Sequence, residues 1–527
     1  MPSIYIINPA HDAASYHSAE SYVADDGAGW ALIGDLAIVT VAALVPAGWD
    51  IRLVDEIIHP VDLDADVDFI AITGKISQRT RMYWLADEFR RRGRTVLIGG
   101  CFASLNAEDA RPHADILVTG EIEELAPRLF AELAAGTWAD RYEGGRPDMR
   151  VSPLPRWDLY PLERASCGAV QTSRGCPFEC EFCDVIQYQG RKQRHKDARQ
   201  VLAELDQQYA RGCRRVFLVD DNFTVHRRRA HAVLRALAGW NAARAADPVK
   251  FWTQASLDVA RDPQLLDACV AAGLTTMFVG IESINTDSLR ETGKRQNLLQ
   301  PIQSALDTIV RHGIGIQGGI VTGFDHDKPD IFERMFEAVQ RFPVPELTIG
   351  CLVAYRSTPL YARLKAERRL RGDVWDGDMR APFWTNFEPA RMTHEELIDG
   401  TIWLTRKAYA PEHFRTRMLN FIDRFGEDIA APVRTSRADD GRLPAFQKSL
   451  RTAMERGPEE ADMVMDVLRA ASKKPACLQS VATFVGRYEQ FRLVLDDVAA
   501  PGCLPRRDAR VVAPTPTAVP PQALSLV

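Results

Sequence analysis

"RGCPFECEFCDV", residues 174–185, crowds Cys176, Cys180 and Cys183 into one short segment with no neighbouring fourth cysteine. Thiolates this close bind metal, pair as a disulfide or serve redox chemistry, and the place of the segment in the fold decides among them. Just upstream lies GAVQTS (168–173), a strand-like run, so the cysteines leave the carboxyl end of a strand.

Downstream the pattern repeats. Strands are predicted at RRVFLVDD (214–221), KFWTQAS (250–256), TTMFVGIES (275–283), IGIQGGIVTGF (314–324) and ELTIGCLVAY (346–355), separated by helical patterns such as DARQVLAELDQQYARG and QPIQSALDTIVRHG. Six strand–helix units predict an incomplete (β/α)6 barrel, a fold whose chemistry gathers at the carboxyl ends of its strands. Polar residues recur at that end: Asp220, Asp221 and Asn222; Gln254 and Ser256; Glu282 and Ser283; Thr322. Asp and Ser also cap helices, which is the plain alternative for Asp220 and Ser283.

Upstream, SIYIIN (3–8), DIRLVDE (50–56), DFIAIT (68–73), TVLIGG (95–100) and ILVTG (116–120) read as strands, the later ones separated by helical patterns. In RMYWLADEFRRRG, for example, Met82, Leu85, Ala86 and Phe89 share one helical face. This alternation predicts a doubly wound, Rossmann-like parallel sheet with its ligand at the strand ends. The residues there are small or polar: Asn8, Thr73, Gly74, Lys75, Ser77, Gly99, Gly100, Gly120 and Glu121. Glycines at adjacent strand ends let a large planar or phosphorylated ligand approach the backbone. No GxGxxG follows the first strand, so a dinucleotide is disfavoured. The α/β chain is thus expected to divide into a Rossmann-like domain (1–145), a proline-containing linker (146–167), the barrel (168–365), a mainly helical domain (366–510) and a disordered proline-rich tail (511–527).

Composition narrows the function. A formal charge of -6 over 527 residues argues against a general nucleic-acid binder. The basic stretch GRKQRHK (190–196) is either a solvated loop or an anion clamp. The amino terminus lacks the pattern of a secretory signal, and LAIVTVAALV (36–45) stops at Pro46, too short to cross a bilayer, so no transmembrane segment and a cytoplasmic location are expected. A chain of this size in a reducing compartment needs no disulfide staples, which leaves metal binding or catalysis for the cysteine cluster. The spacing Cys-x3-Cys-x2-Cys supplies three corners of a compact cluster. Iron–sulfur cubes ordinarily take four thiolates, so three leave one iron with an open position. Zinc, with His195 as a fourth ligand, is the competing reading; zinc motifs usually bring their ligands in two close pairs.

RGCPFECEFC, with Phe182 directly before the last cysteine, resembles the signature of radical S-adenosylmethionine enzymes. VDDNF (219–223), VGIES (279–283) and GGIVTGF (318–324) resemble that family's later strand-end motifs. The region before the barrel is similar to the cobalamin-binding domain of the cobalamin-dependent (class B) branch. RSTPLYARLKAERRL (356–370) and RMTHEEL (391–397) resemble the subgroup that includes hopanoid methylases, although Arg356-Ser357 stands where Pro-Gly is frequent.

The resemblance implies a 4Fe-4S cluster on Cys176, Cys180 and Cys183, with S-adenosyl-L-methionine on the open iron. It places the Phe182 backbone near the adenine, Asp220 or Asp221 at the methionine amino group, and Gln254, Ser256 and Glu282 at the ribose and carboxylate. Cobalamin would lie over the nine strand-end residues of the first sheet. The loop NPAHDAAS departs from the Asp-x-His-x-x-Gly pattern, so His11 is not expected on cobalt, and Lys75 or Ile76 is expected beneath it. The implied activity is methylation of an unactivated carbon of a small molecule or lipid through a 5'-deoxyadenosyl radical and methylcobalamin. A cyclase or rearrangement enzyme that transfers no methyl group is the alternative. A flavodoxin or ferredoxin would supply electrons. Tyr355, Trp384 and Asn386 are candidate pocket residues, and the scattered cysteines are expected to be small buried side chains.

Overall fold

Ser3–Asn8 (β1) is buried at every position after Ser3, as a parallel strand covered on both faces must be. The computed structural model describes residues 1–12, 15–17, 29–371, 382–426 and 450–499. Ala31–Ile33 forms β2, Asp50–Asp55 β3, Phe69–Thr73 β4, Thr95–Gly99 β5, Ile116–Thr119 β6 and Arg141–Glu143 β7. All but β2 make one sheet, in the order β3-β1-β4-β5-β6-β7, and every pairing is parallel. The chain runs from β1 outward in both directions, which opens a crevice beyond the carboxyl ends of β1 and β4. Asn8 and the turn Thr73–Gly74–Lys75 flank it.

The second sheet comprises Ala165–Val170 (β8), Arg215–Leu218 (β11), Lys250–Ala255 (β12), Leu274–Glu282 (β13), Gly315–Thr322 (β14) and Glu346–Cys351 (β15). Between β8 and β11, Ser173–Arg174 (β9) and Arg194–His195 (β10) form a short antiparallel pair. All six expected barrel strands are present, in the parallel order β15-β14-β13-β12-β11-β8. A seventh was not foreseen: β2 leaves the first sheet's stretch of sequence and pairs with β8, Ala31 opposite Ala165 and Ile33 opposite Cys167. Three residues are too few for strand periodicity to register.

The apolar run at 36–45 is the helix Leu36–Leu44, capped by Asp35, whose carboxylate accepts from Ala37 N and Ile38 N. Among the described residues four longer helices follow the barrel: His394–Ala408, Pro411–Arg424, Pro458–Ser472 and Leu478–Ala499. The first starts in a capping box between Thr393 and Glu396, worth about 1 kcal/mol. Tyr409, Phe414, Tyr488 and Phe491 form an aromatic cluster among these helices, and Tyr16 stacks on Phe491 at 4.9 Å, tying the amino-terminal segment to them. The expected tail at 511–527 lies outside the described residues. Among the described residues no helix is long and apolar enough to cross a membrane.

Candidate active site

The cysteine loop is a tethered excursion. β9 and β10 zip its two ends together, and Cys176 N donates to Gly190 O across the neck at 3.1 Å. Gly175 has φ +98°, a left-handed conformation, and a Cβ there would lie 2.8 Å from Gly190 O. The far side is pinned twice: Glu181 N donates to Thr292 O, and the Glu181 carboxylate accepts from Arg363 Nε at 2.7 Å. Arg363 also reaches Asp325 at 2.6 Å. Phe182 packs toward Phe324, ring centroids 6.0 Å apart.

All three thiols are free rather than paired in a disulfide. Burial pushes Cys183 up to about 12 and raises Cys176 as well, so thiolates here require compensating positive charge. Lys294 supplies one such charge. Burial opposes its ammonium, but Glu282, whose Oε1 lies 2.6 Å away, and the Cys180 and Cys183 sulfurs outweigh that and hold its pKa above the usual range. Gln296 Nε2 points at Cys180 Sγ from 3.7 Å. Among the described residues no three His, Cys, Asp or Glu side chains converge as single-ion chelators do. His195 instead packs edge-on against His226. A donor set of three free thiols in a partly buried loop, with a cation and an amide beside them, fits a cluster larger than one ion.

The strand-end residues divide by what they hold. Asp220 accepts from Thr172 N, Thr172 Oγ1, Ser173 N and Ser173 Oγ at 2.5–3.0 Å, so both its oxygens anchor the start of the loop. Asp221 accepts from Gly175 N at 2.7 Å, and burial pushes it up to about 7. Ser256 Oγ accepts from Asn222 Nδ2 at 2.7 Å. Gln254 lies in register with Phe278, and its side-chain amide has no partner among the described residues. Glu282 takes φ +64°, which a non-glycine residue rarely adopts, and this turns its carboxylate to Lys294.

The first sheet forms the opposite wall. Its helix Gly100–Leu105 packs against the short helix Val185–Tyr188 that ends the cysteine loop. The Lys75 side chain is 58% exposed at this edge. Its ammonium stands 3.6 Å from Asp35 Oδ2. Cys101 feels the charges of both Lys75 and Asp184, and Tyr355 feels Asp184, so the sheet edge and the cysteine loop lie close to one another. Gly100 has φ +89° and abuts Thr73 Oγ1; Gly120 has φ +74° against the Gly144 backbone; Gly99 lies beside Val118. Gly74 O accepts from Phe102 N.

Two of the predicted strand-end residues are spent on the protein itself. The Asn8 amide donates to Asp55 and accepts from Gln78, both at 3.0 Å. The Glu121 carboxylate is gripped by Arg174 and Arg194, while Glu123 takes Arg174 at 2.7 Å. Ser77 Oγ bonds His11 Nδ1 at 3.0 Å, so His11 is not a surface side chain. Burial and Lys75 lower it to about 4, leaving it neutral at pH 7. The basic stretch 190–196 is split: Arg191 and Lys192 are exposed, Arg191 beside the exposed Glu179, whereas Arg194 pairs with Glu121 and Lys196 with the buried Glu204. Asn386 braces Ala354 through both its N and O, and Trp384 is half-buried.

Sequence alone did not point to Lys294, Gln296, Arg363 or Glu123. Each lies outside a strand end or inside the motif as a spacer, and the only signal was the density of charge in ETGKRQ, 291–296.

Residues 170–339 match the Radical SAM superfamily, and residues 358–500 match a domain of unknown function, DUF4070. An uncharacterized methyltransferase of Synechocystis is 36% identical over 73% of this chain and 72% of its own length. The hopanoid C-2 methylase of Rhodopseudomonas palustris is 32% identical over 64% of this chain and 65% of its own. With this site and these relatives, the chain belongs to the methyltransferase family of the Synechocystis relative and carries a Radical SAM superfamily domain over residues 170–339. In fold it is similar to the methyltransferase TsrM of Kitasatospora setae, solved with cobalamin and a [4Fe-4S] cluster, at a TM-score of 0.61 and 14% identity over 95% of this chain and 100% of that one. OxsB, solved with aqua-cobalamin and S-adenosylmethionine, gives 0.60 at 14% identity, over 95% of this chain and 80% of that one.

Proposed function

We propose that this chain methylates an unactivated carbon of an apolar small molecule or lipid, using S-adenosylmethionine, a four-iron cluster and cobalamin. The observation that carries the reading is that three unpaired cysteines and the glycine-lined sheet edge bearing Lys75 are brought together where the helices Gly100–Leu105 and Val185–Tyr188 pack. When bound, these groups supply an electron that cleaves S-adenosylmethionine to a carbon-centred radical, and a methyl group carried on cobalt.

The chain's own residues do the placing. Cys176, Cys180 and Cys183 would hold the cluster, and Lys294 and Gln296 would face its sulfurs. Asp221, Gln254 and Glu282 border the same mouth and are the polar groups for S-adenosylmethionine; Asp220 and Ser256 would act by shaping the loop and strand end that carry them. Lys75 would stand under the corrin, on the sheet edge that Gly74, Gly99, Gly100 and Gly120 form by packing closely on Met82, Val118, Thr73 and Gly144. Asn8, Thr73, Ser77 and Glu121 would keep that edge in shape. Tyr355, on the barrel side, would pack the substrate and keep water from the reacting carbon. The domain division proposed is a cobalamin unit within 1–145 and a barrel over 168–365, with 31–33 assigned to the barrel. A hopanoid-like substrate is the finer proposal, supported by the relative named for it, and a flavodoxin or ferredoxin is the proposed reductant.

Anaerobic reconstitution with iron, sulfide, cobalamin and S-adenosylmethionine under a strong reductant tests this. Wild type should release 5'-deoxyadenosine, and in the presence of substrate S-adenosylhomocysteine as well; Cys180→Ala should release neither. Deoxyadenosine from Cys180→Ala would sink the assignment. A product formed without S-adenosylhomocysteine would favour cyclisation or rearrangement.

A further inference from the structure

The barrel has a second mouth, at the amino ends of its strands and opposite the cysteine loop. Arg215 opens β11 and Lys250 opens β12, and the two stand opposite each other in register. Neighbouring strands therefore present both cations on one face. They line a cleft of about 490 Å³, open mouth included, with Ser166, Thr275 and Gln317 on its walls and Arg487 of the helix Leu478–Ala499 across it.

The charge around this cleft does not balance. Among the described residues one carboxylate, Glu346, stands against three cations here: it lies 3.6 Å from Arg487, accepts from Gln317 Nε2 at 3.1 Å and feels the charge of Arg215, which leaves Lys250 without a counter-charge. Among the described residues neither the Lys250 ammonium nor the Arg215 guanidinium has an ion pair or a hydrogen bond, although both residues are only partly exposed. Burial, with no charge to oppose it, lowers the Lys250 pKa. A cation drawn out of water without a counter-charge is destabilising, and a bound anion would remove that cost.

We infer that this lower mouth is a binding site for an anionic group, a carboxylate or a phosphate, held between Lys250 and Arg215. The planar guanidinium can take two oxygens and the ammonium a third, with the Ser166 hydroxyl, which accepts from Trp30 Nε1, as a further donor. Trp252, stacked on Phe217 at 3.8 Å, also lines the cleft, so an apolar body attached to the anion would rest against it. The anion belongs either to a separate effector or to the charged end of a long substrate lying along the barrel.

The test uses the full-length, cluster-reconstituted protein at constant ionic strength, titrated by calorimetry with inorganic pyrophosphate and, separately, with dodecanoate. Wild type should bind pyrophosphate and melt at a higher temperature in its presence. Lys250→Met and Arg215→Met should each weaken binding by about tenfold or more, while Lys365→Met, which removes an exposed lysine elsewhere, should not. Without any anion, Lys250→Met should melt at or above the wild-type temperature, because it removes the uncompensated charge; this readout stands even if Arg215→Met does not fold. Tighter binding of dodecanoate than of pyrophosphate, with a change in tryptophan fluorescence, assigns the anion to a substrate's end, and the reverse order assigns it to an effector. The inference is overturned if neither ligand binds, if both bind the two methionine variants as well as wild type, or if Lys250→Met melts below wild type.

Discussion

Arg174, two residues before Cys176, lies 2.7 Å from Glu123 Oε1 and is also held by Glu121, both just beyond the carboxyl end of β6. The pair joins the cysteine loop to the first sheet by charge, and its members are nearly sealed from solvent, at 12% and 3% side-chain exposure. Because Arg194 shares Glu121, the ion network fixes the gap across which the two halves of the site face each other.

Replacing Glu121 with Gln should therefore leave two buried guanidiniums short of charge and lower stability by about 3 kcal/mol. Urea denaturation measures the loss. Under turnover, the ratio of 5'-deoxyadenosine to methylated product should rise, because the radical forms at a wall no longer held against its partner. An unchanged ratio would confine Glu121 to folding.

Lys294 places a positive charge beside two of the thiols. A cation next to a cluster favours the added electron. Lys294→Met should therefore shift the cluster's midpoint potential to more negative values in a redox titration followed by electron paramagnetic resonance, with iron content retained. A potential that does not move would remove Lys294 from the electrostatics of the site.

Arg363 bridges Glu181, which lies between two cluster cysteines, and Asp325, which follows β14. Arg363→Met should leave the barrel folded but loosen the loop. The expected readouts are faster loss of iron to a chelator and protease cleavage between 177 and 185. Chelation at the wild-type rate would count against the bridge.

Asp55 is 2% exposed, and burial, with the Asp35 charge second, pushes it up to about 6 despite bonds from Tyr160, Asn8 and Ile57. An acid whose folded pKa is raised holds its proton more tightly in the native state, so stability falls as pH rises from the unfolded value toward 6 and then levels. Asp55→Asn removes that slope. Its stability relative to wild type should climb between pH 4 and 6, by about 3 kcal/mol at most, and stay flat above. Denaturation curves across that range would show it, and parallel curves would refute the shift.

Much of this was legible in the residues. The six barrel strands and the five longer strands of the first sheet announce themselves through apolar runs ended by Gly, Asp or Asn, because burial on both faces leaves little choice of side chain. The cysteine spacing carried the site's identity. What the sequence concealed was pairing at a distance. Glu121 reads as a strand-end ligand residue until Arg174, 53 positions on, is seen to take it. His11 carries no local sign of its bond to Ser77, 66 positions on. Charge pairs between segments far apart leave no periodic trace, since each member looks locally like any solvated polar residue.

The seating of β2 against β8 means that the polypeptide crosses from one sheet to the other and back before either is complete. Residues 1–145 expressed separately would carry away the strand that closes the partner's flank, and the remainder would present a raw β8 edge open to association with other copies. The two halves are laced rather than strung, so they cannot be exchanged between related enzymes as interchangeable modules without carrying this stitch along.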